Sequence, residues 1–357
     1  MNEDRALTVA VTGINAAPEN PGPGLAVVRC LREAYGNRVR IIGLAYDAFD
    51  PGLYLNGYCN ATYLIAYPFN GAEAMVSRLT EINQAEPIDV LIPCLDAELP
   101  LMVRLASQLE SLHIRTFLPD ADQLARRAKD RLPELARIAQ VPYPETRLLS
   151  EPGFFYRCHL EGWSYPLVVK GVFYDAITVA NADQAAAAFR QIALQWGLPV
   201  LAQRFVSGEE YNLTAVGDGR GNLLGEVMMK KRAVTAKGKA WAGVTTHDEA
   251  LAAAARKLVT ALQWKGPIEV EMMRVDNGDY HLIEVNPRFP AWIYLSHGVG
   301  RNLPALLLEL ALGHDAPALA PLEAGTIFIR YAQETIVPLA AFEAVMMGGR
   351  YPPGSGG

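Results

Sequence analysis

Apolar residues in the first part of the chain come in short runs, separated by longer stretches where they recur every three or four positions. The runs Leu7–Thr12, Val39–Leu44, Ala61–Ala66, Asp89–Pro93 and Ile114–Leu118 read as buried strands. Between them, Leu25–Tyr35, Ala72–Ile82 and Leu99–Leu109 carry helical spacing. Strand alternating with helix predicts a parallel sheet with helices on both faces, over residues 1–119. A helical pattern over 120–140, with Pro119 just before it, links this unit to the next. After Pro142 and Pro144 the strands come in pairs with helices between pairs, an α+β pattern that runs to Pro321. The middle unit, 120–321, divides into the linking helix 120–140 and two lobes, 141–203 and 204–321. An extension, 322–357, carries a strand-like run Thr326–Arg330 and a short helix around Leu339–Met347. Its end, Tyr351–Gly357, is rich in proline and glycine and is expected to fray.

Composition excludes several classes of function. With 51% hydrophobic and 20% charged residues the chain has enough apolar material to fold. A net charge of -6 argues against a broad nucleic-acid surface. No apolar run is long enough to span a membrane, and the start Met-Asn-Glu-Asp-Arg is unlike a signal peptide. Cys30, Cys59, Cys94 and Cys158 form no CxxC pair and read as free thiols, so a cytoplasmic protein is expected.

The segment Gly266–Phe289, GPIEVEMMRVDNGDYHLIEVNPRF, carries the most chemistry. Asn277-Gly278 between alternating apolar residues signals a hairpin with a two-residue turn. Such a turn opposes Glu271 to Glu284 and Glu269 to Asn286, all on one face. Ile268, Val270, Met272, Ile283 and Val285 then share the other, buried face. Like charges directly opposed destabilise a sheet, and a cation between them removes the conflict. Oxygen ligands in this number suit Mg²⁺ or Mn²⁺ shared with substrate phosphates, which Arg288 is placed to meet. A solvated polar face is the alternative, and a one-residue slip in register would undo the pairing. Two further places stay open. The loop Gly13–Gly24, with Pro21-Gly22-Pro23-Gly24, is either a structural turn or a substrate contact. Asp96 and Glu98 either read a cationic substrate group or are acids favoured by a helix start.

The string Glu284-Val285-Asn286-Pro287-Arg288-Phe289 resembles the metal strand of ATP-grasp enzymes, especially the carbamoyl-phosphate-synthase-like branch. The resemblance covers residues 120–320 well and the first 120 loosely. It implies a fold that is α/β and α+β: an N-terminal parallel-sheet pre-ATP-grasp domain followed by a two-lobed ATP-grasp domain. Lys129, in Ala-Lys-Asp-Arg on the linking helix, and Lys170, closing Tyr165-Pro166-Leu167-Val168-Val169-Lys170, are similar to the family's phosphate-binding positions. Gln203-Arg204-Phe205-Val206-Ser207-Gly208-Glu209-Glu210-Tyr211 is similar to the interdomain hinge. This implies Gln203, Arg204 and Val206 at the adenine edge and Glu210 on the ribose, with Glu209 as the alternative acid. Lys230-Lys231-Arg232 and Gly243-Val244-Thr245-Thr246 resemble the basic segment and loop near the transferred phosphate. Strand alternation puts Lys230 and Arg232 on one face, and these two with Arg288 form the expected catalytic cations; which of Lys230, Lys231 and Arg232 turns inward is left open. Glu271, Glu284 and Asn286 are the expected metal ligands.

One departure stands out. After Lys170 the chain reads Gly-Val-Phe-Tyr-Asp-Ala-Ile-Thr, without the family's glycine-rich lid. The resemblance implies ATP, Mg²⁺ and a ligase that activates a small carboxylate as an acyl phosphate for attack by an amine. The expected partners are those two small substrates and, as is common in the family, a second copy in a homodimer. A small-molecule kinase and a non-catalytic nucleotide-binding module are the alternatives.

Overall fold

The structure is a computed structural model and describes residues 5–351. The expected fraying beyond Tyr351 therefore lies outside the described residues. Strands β1 (Leu7–Val11), β2 (Val39–Ala45), β3 (Ala61–Leu64) and β4 (Val90–Ile92) form a parallel sheet in the order β3-β2-β1-β4. The expected fifth strand is absent. Ile114–Leu118 contributes a single bridge, Arg115 to Val90, before the chain turns away so that the Phe117 carbonyl packs over Gly266. The helical run after β4 is two short helices, Leu99–Arg104 and Ala106–Ser111.

The linking helix is likewise two helices. Asp120 caps Ala121–Arg126 through a capping box with Gln123. The second helix, Leu132–Ala139, carries Pro133 in its first turn. Proline is favoured there and disrupts a helix interior, so the chain breaks before it. Lys129 consequently sits in the turn between the helices rather than on a helix.

The next sheet is antiparallel: β5 (Thr146–Leu149), β6 (Leu167–Gly171), β7 (Ala176–Val179) and β8 (Val200–Arg204), in the order β5-β8-β6-β7. Leu167 and Val169 pack with Phe155, Trp163, Phe189 and Ile192 on one face. Alternation turns Val168 and Lys170 to the other. The stretch after Lys170 is a tight turn into β7, closed by the Gly171 N–H on the Asp175 carbonyl. Asp175 has a φ of 65° and accepts from the Trp196 indole at 2.7 Å, so the turn has its own fixed contacts in place of a glycine lid.

Residues 205–208 cross to the third sheet. It contains β9 (Glu209–Asp218), β10 (Leu223–Val234), β11 (Ala240–Thr246), β12 (Lys265–Arg274), β13 (Tyr280–Asn286) and β14 (Ile327–Ile329). All neighbours are antiparallel, in the order β13-β12-β9-β10-β11-β14. The helix Glu249–Leu262, capped by Asp248, buries Leu251, Leu258, Val259 and Leu262 against Ile268, Val270 and Met272. The helix Leu339–Gly348 returns the chain to the first unit. There the Gly349 carbonyl accepts from the Leu64 N–H and the Arg78 guanidinium, at 2.9 and 2.7 Å.

The β12–β13 hairpin departs from the sequence expectation in two places that offset each other. The turn holds three residues, not two: the Val275 N–H donates to the Asp279 carbonyl, and Gly278 takes the positive φ of 91°. Pairs next to the turn are therefore shifted by one, Met272 facing Leu282 and Met273 facing His281. A bulge at Ile283 then restores the expected register, Glu271 opposite Glu284 and Glu269 opposite Asn286. Leu282, fully buried, takes the core place expected for Ile283.

Candidate functional site

The registers set out one face of the third sheet row by row. Glu284, Glu271 and Asn212 are neighbours across three strands. Asn286, Glu269 and Thr214 form the row beside them, and His281, Met273 and Glu210 the row on the other side. Alternation along β9, β12 and β13 thus gathers four carboxylates on one face. Each is compensated differently.

Glu269 is 4% exposed and accepts from Asn212 at 2.7 Å, Trp292 at 2.9 Å and Asn286 at 3.1 Å. Burial, reinforced by Glu271 beside it, pushes its pKa up. Burial also acts on Glu271, but Lys231 and Lys239 outweigh it and hold that carboxyl at about 2. The Lys231 ammonium makes three contacts, to Glu210 at 2.8 Å, Glu271 at 3.0 Å and the Gly238 carbonyl at 3.3 Å. Its three donors are satisfied. Glu284 pairs with Lys129 at 3.3 Å, and Lys129 also reaches the Phe173 carbonyl.

Lys231, then, is the member of the basic triplet that turns inward. Lys230 is on the opposite face, paired with Glu209 at 2.7 Å and lying over the Tyr211 ring. Arg232 is the unpaired residue of a bulge between Lys231 and Ala233 and is exposed. This corrects the expectation for Lys230 and Arg232, which do not face the carboxylates. The reason is register: Lys230 pairs with Tyr211, whose ring packs in the core with Tyr280.

Arg288 is buried, 2.7 Å from Asp96 and 3.5 Å from Glu269. Burial pushes Asp96 up, but Arg288 outweighs it and holds Asp96 below its ordinary value. Asp96 thus anchors an arginine of the same chain. Glu98 is fully buried and accepts from the Cys94 and Leu95 N–H groups at 2.7 and 2.8 Å, and from Thr12 and Tyr46. It ties the loop after β4 to the ends of β1 and β2. Phe289 and Trp292 are core residues, 1% and 3% exposed. In the loop after β1, added Cβ atoms at Gly22 and Gly24 would meet the Gly13 and Thr12 carbonyls at 2.5 and 2.1 Å, so close backbone packing requires both glycines.

Lys170 looks across at this face from β6. Burial lowers its pKa to about 8, with Glu284 as its largest charged neighbour pulling the other way. Gln203 is 2% exposed and donates to Thr146 at 2.8 Å. Arg204 pairs with Glu145 at 2.6 Å and covers the Trp163 ring. The side chains of Gln203 and Arg204 are thus engaged within their own lobe, both residues pair within the sheet, and the Arg204 N–H donates to the Glu145 carbonyl at 2.9 Å, whereas Val206 lies in the crossing. Arg330 donates to the Ala291 carbonyl at 2.9 Å.

One cation at this site escaped the sequence reading. Arg127, at the end of the helix Ala121–Arg126, has its Nε sealed from solvent with no acceptor. Burial lowers its pKa, and its charged surroundings are Asp96, Glu284 and Arg288. Two adjacent arginines at a helix end gave no sign of which turned inward; Arg126 instead bonds the Ala261 carbonyl at 2.5 Å.

A divalent cation is compatible with this donor set. Among the described residues no three acidic, histidine or cysteine side chains gather at a metal-sized point. The opposed Glu271 and Glu284 offer hard oxygen atoms, and lysine ammonium groups already stand where positive charge is required. An ion held there by so few protein groups completes its shell from a ligand.

Residues 198–334 match the family described as "ATP-grasp in the biosynthetic pathway with Ter operon". Three solved structures are similar in fold. The L-amino acid ligase from Bacillus licheniformis has 19% identity and a TM-score of 0.64, over 87% of this chain and 75% of that one. The biotin carboxylase from Campylobacter jejuni, solved as a β,γ-ATP complex, has 17% identity and a TM-score of 0.68, over 89% and 73%. The ADP complex of purK, N5-carboxyaminoimidazole ribonucleotide synthetase, has 14% identity and a TM-score of 0.68, over 96% and 85%. No helix of the described residues is long and apolar enough to cross a membrane.

Proposed function

We propose that this chain, whose residues 198–334 match an ATP-grasp family and whose fold is similar to that of known ligases, is an ATP- and Mg²⁺-dependent ligase that joins a small carboxylate to an amine. The observation that carries this reading is the opposed pair Glu271 and Glu284, compensated by lysines, with the half-buried Lys170 facing it. Simple adenine recognition has no need of two facing carboxylates, whereas phosphoryl transfer needs metal and cations on the moving group.

In this reading the nucleotide lies between β6 and the third sheet. The Arg204 carbonyl and the Val206 backbone meet the adenine edge, with Gln203 beside them, and Glu210 accepts from the ribose hydroxyls. Lys129 and Lys170 hold phosphate oxygens. Glu271, Glu284 and Asn286 hold Mg²⁺, which when bound neutralises phosphate charge and orients the transfer. A carboxylate oxygen of the first substrate attacks the γ-phosphorus in line. The bond to the bridging oxygen breaks, and ADP leaves with the electron pair. Arg288, fixed by Asp96, is placed for the acyl phosphate. The amine then displaces orthophosphate at the carbonyl carbon and loses a proton. Lys231 faces Glu210 and Glu271 together, so it joins the ribose end of the site to the metal end. Two substrates of this kind and a homodimer are the proposed partners.

Lys170 provides a pH signature. Phosphate favours its charged form, so nucleotide binding raises its pKa from about 8 toward the ordinary 10.5. Calorimetry at about pH 8.5 in buffers of different ionisation enthalpy should show proton uptake on binding. Lys170→Met should abolish the uptake; uptake that persists in the variant would remove Lys170 from the phosphate site.

The test of the function is ADP and orthophosphate release over paired panels of amino acids, short peptides and other small carboxylates, with hydroxylamine as a trap. Carboxylate-dependent ADP with equal phosphate and a hydroxamate supports the ligase. ADP without phosphate would move the case to a kinase.

A further inference from the structure

Four of the basic side chains at this site have acidic neighbours to compare. Lys129, Lys231 and Arg288 each contact a carboxylate: Glu284, Glu210 with Glu271, and Asp96 with Glu269. Arg127 does not. Its Nε is closed off from water without an acceptor, and among the described residues it forms no ion pair. Leaving a guanidinium donor buried and unbonded is costly, and a ligand with several acceptor oxygens removes that cost.

The position of Arg127 narrows the ligand. Its titratable neighbours come from three elements: Asp96 from the loop after β4, Glu284 and Arg288 from β13 and its extension, and the neutral Tyr174 from the turn after β6. It thus has near it both the carboxylate Glu284, at the proposed metal end, and the Asp96–Arg288 pair.

We propose that Arg127 is a catalytic residue that binds the transferred phosphoryl group, first as the γ-phosphate and then as the phosphate of the acyl phosphate. This rests on the ATP-dependent reading above and adds to it a residue and a role. During transfer the carboxylate oxygen forms its bond to phosphorus as the bridging P–O bond breaks, and the electron pair leaves on ADP. The non-bridging oxygens keep their negative charge throughout. A planar guanidinium can keep two N–H donors on them without moving far, which a lysine ammonium does less well.

The test compares two nucleotides on the full chain, MgADP and the magnesium salt of the β,γ-imido analogue of ATP, by calorimetry. Arg127→Gln should leave the ADP dissociation constant within about twofold and weaken the imido analogue on the order of tenfold or more. Arg127→Lys should restore part of that difference. Equal losses for both nucleotides would make Arg127 a general cleft residue, and no loss for either would remove it from the site; both outcomes overturn the proposal. If Arg127→Gln fails to fold, the same comparison is read on Arg127→Lys, where undiminished discrimination overturns it. Should the unsubstituted chain bind neither nucleotide, the ATP-dependent reading itself falls, and this proposal with it. That failure is seen before any variant is measured.

Discussion

Glu284→Ala should abolish turnover and leave the fold in place. The side chain is a quarter exposed, at the rim of the sheet face, and its ion-pair partner Lys129 keeps the Phe173 carbonyl as an acceptor once the carboxylate is gone. The stability cost is therefore small, as for other pairs with access to water. The kinetic cost is not. Removing a group that positions charge at the reacting phosphate costs about 10²- to 10³-fold in turnover. The loss of one of two opposed metal carboxylates belongs at or above the upper end. Glu284→Gln keeps the shape and should fall as far, because a neutral amide is a poor ligand for a hard cation. The check is ADP release with saturating carboxylate, together with thermal melting. Full activity in either variant at ordinary magnesium would sink the metal assignment.

Lys231→Met should do the reverse and act first on stability. The Lys231 side chain is 7% exposed and serves two carboxylates at once. Breaking a buried pair by removing one partner costs about 3–5 kcal/mol, because the remaining charge is left uncompensated. Glu210 is nearly half exposed and relieves part of this, so about 3 kcal/mol is expected. Magnesium should stabilise the variant more than the parent, since the ion no longer competes with an ammonium for Glu271. The acid limb of the stability profile should change as well. With Lys231 present, Glu271 is held at about 2, below the ordinary 4.5. Its contribution is complete above pH 4.5 and is lost as the pH falls toward 2. Without Lys231 that loss should shrink. Denaturant titrations at neutral and acid pH, with and without magnesium, measure both effects. Parent-like stability without magnesium would show that Lys231 is not the counter-ion of this face.

What the sequence made legible follows the range of the interactions involved. The facing of Glu271 with Glu284 and of Glu269 with Asn286 agrees with the sequence reading because the three-residue turn and the bulge at Ile283, neither of them legible, offset each other. The inward turn of Lys231 was not readable, because it depends on how β10 registers against β9, strands joined through a further irregularity between Leu224 and Val227. Alternation alone divides Lys230 and Arg232 from Lys231 without saying which side is inside. The break in the linking helix was available in principle from Pro133, whose place at a helix start is a local rule. The failed fifth strand, Ile114–Leu118, had the right apolar content. Its hydrogen bonding ended at Arg115 because the following residues pack against Gly266, a contact far along the chain. Arg127 was unreadable for the same reason: the groups around it come from residues 96, 174, 284 and 288.

The hairpin of β12 and β13 also bears on how such a chain can vary. Loop tips ordinarily tolerate insertions and deletions. Here the turn is closed by Val275 and Asp279, and the bulge at Ile283 lies between the pairs Met272–Leu282 and Glu271–Glu284, so the two irregularities are separable. Removing one of residues 276–278 leaves a two-residue loop closed by the same pair, and Glu271 stays opposite Glu284. Deleting Ile283 removes only the unpaired residue and likewise keeps that pair. Loop length and strand irregularity are therefore free to vary independently, and only the gain or loss of a paired residue between them parts the two carboxylates.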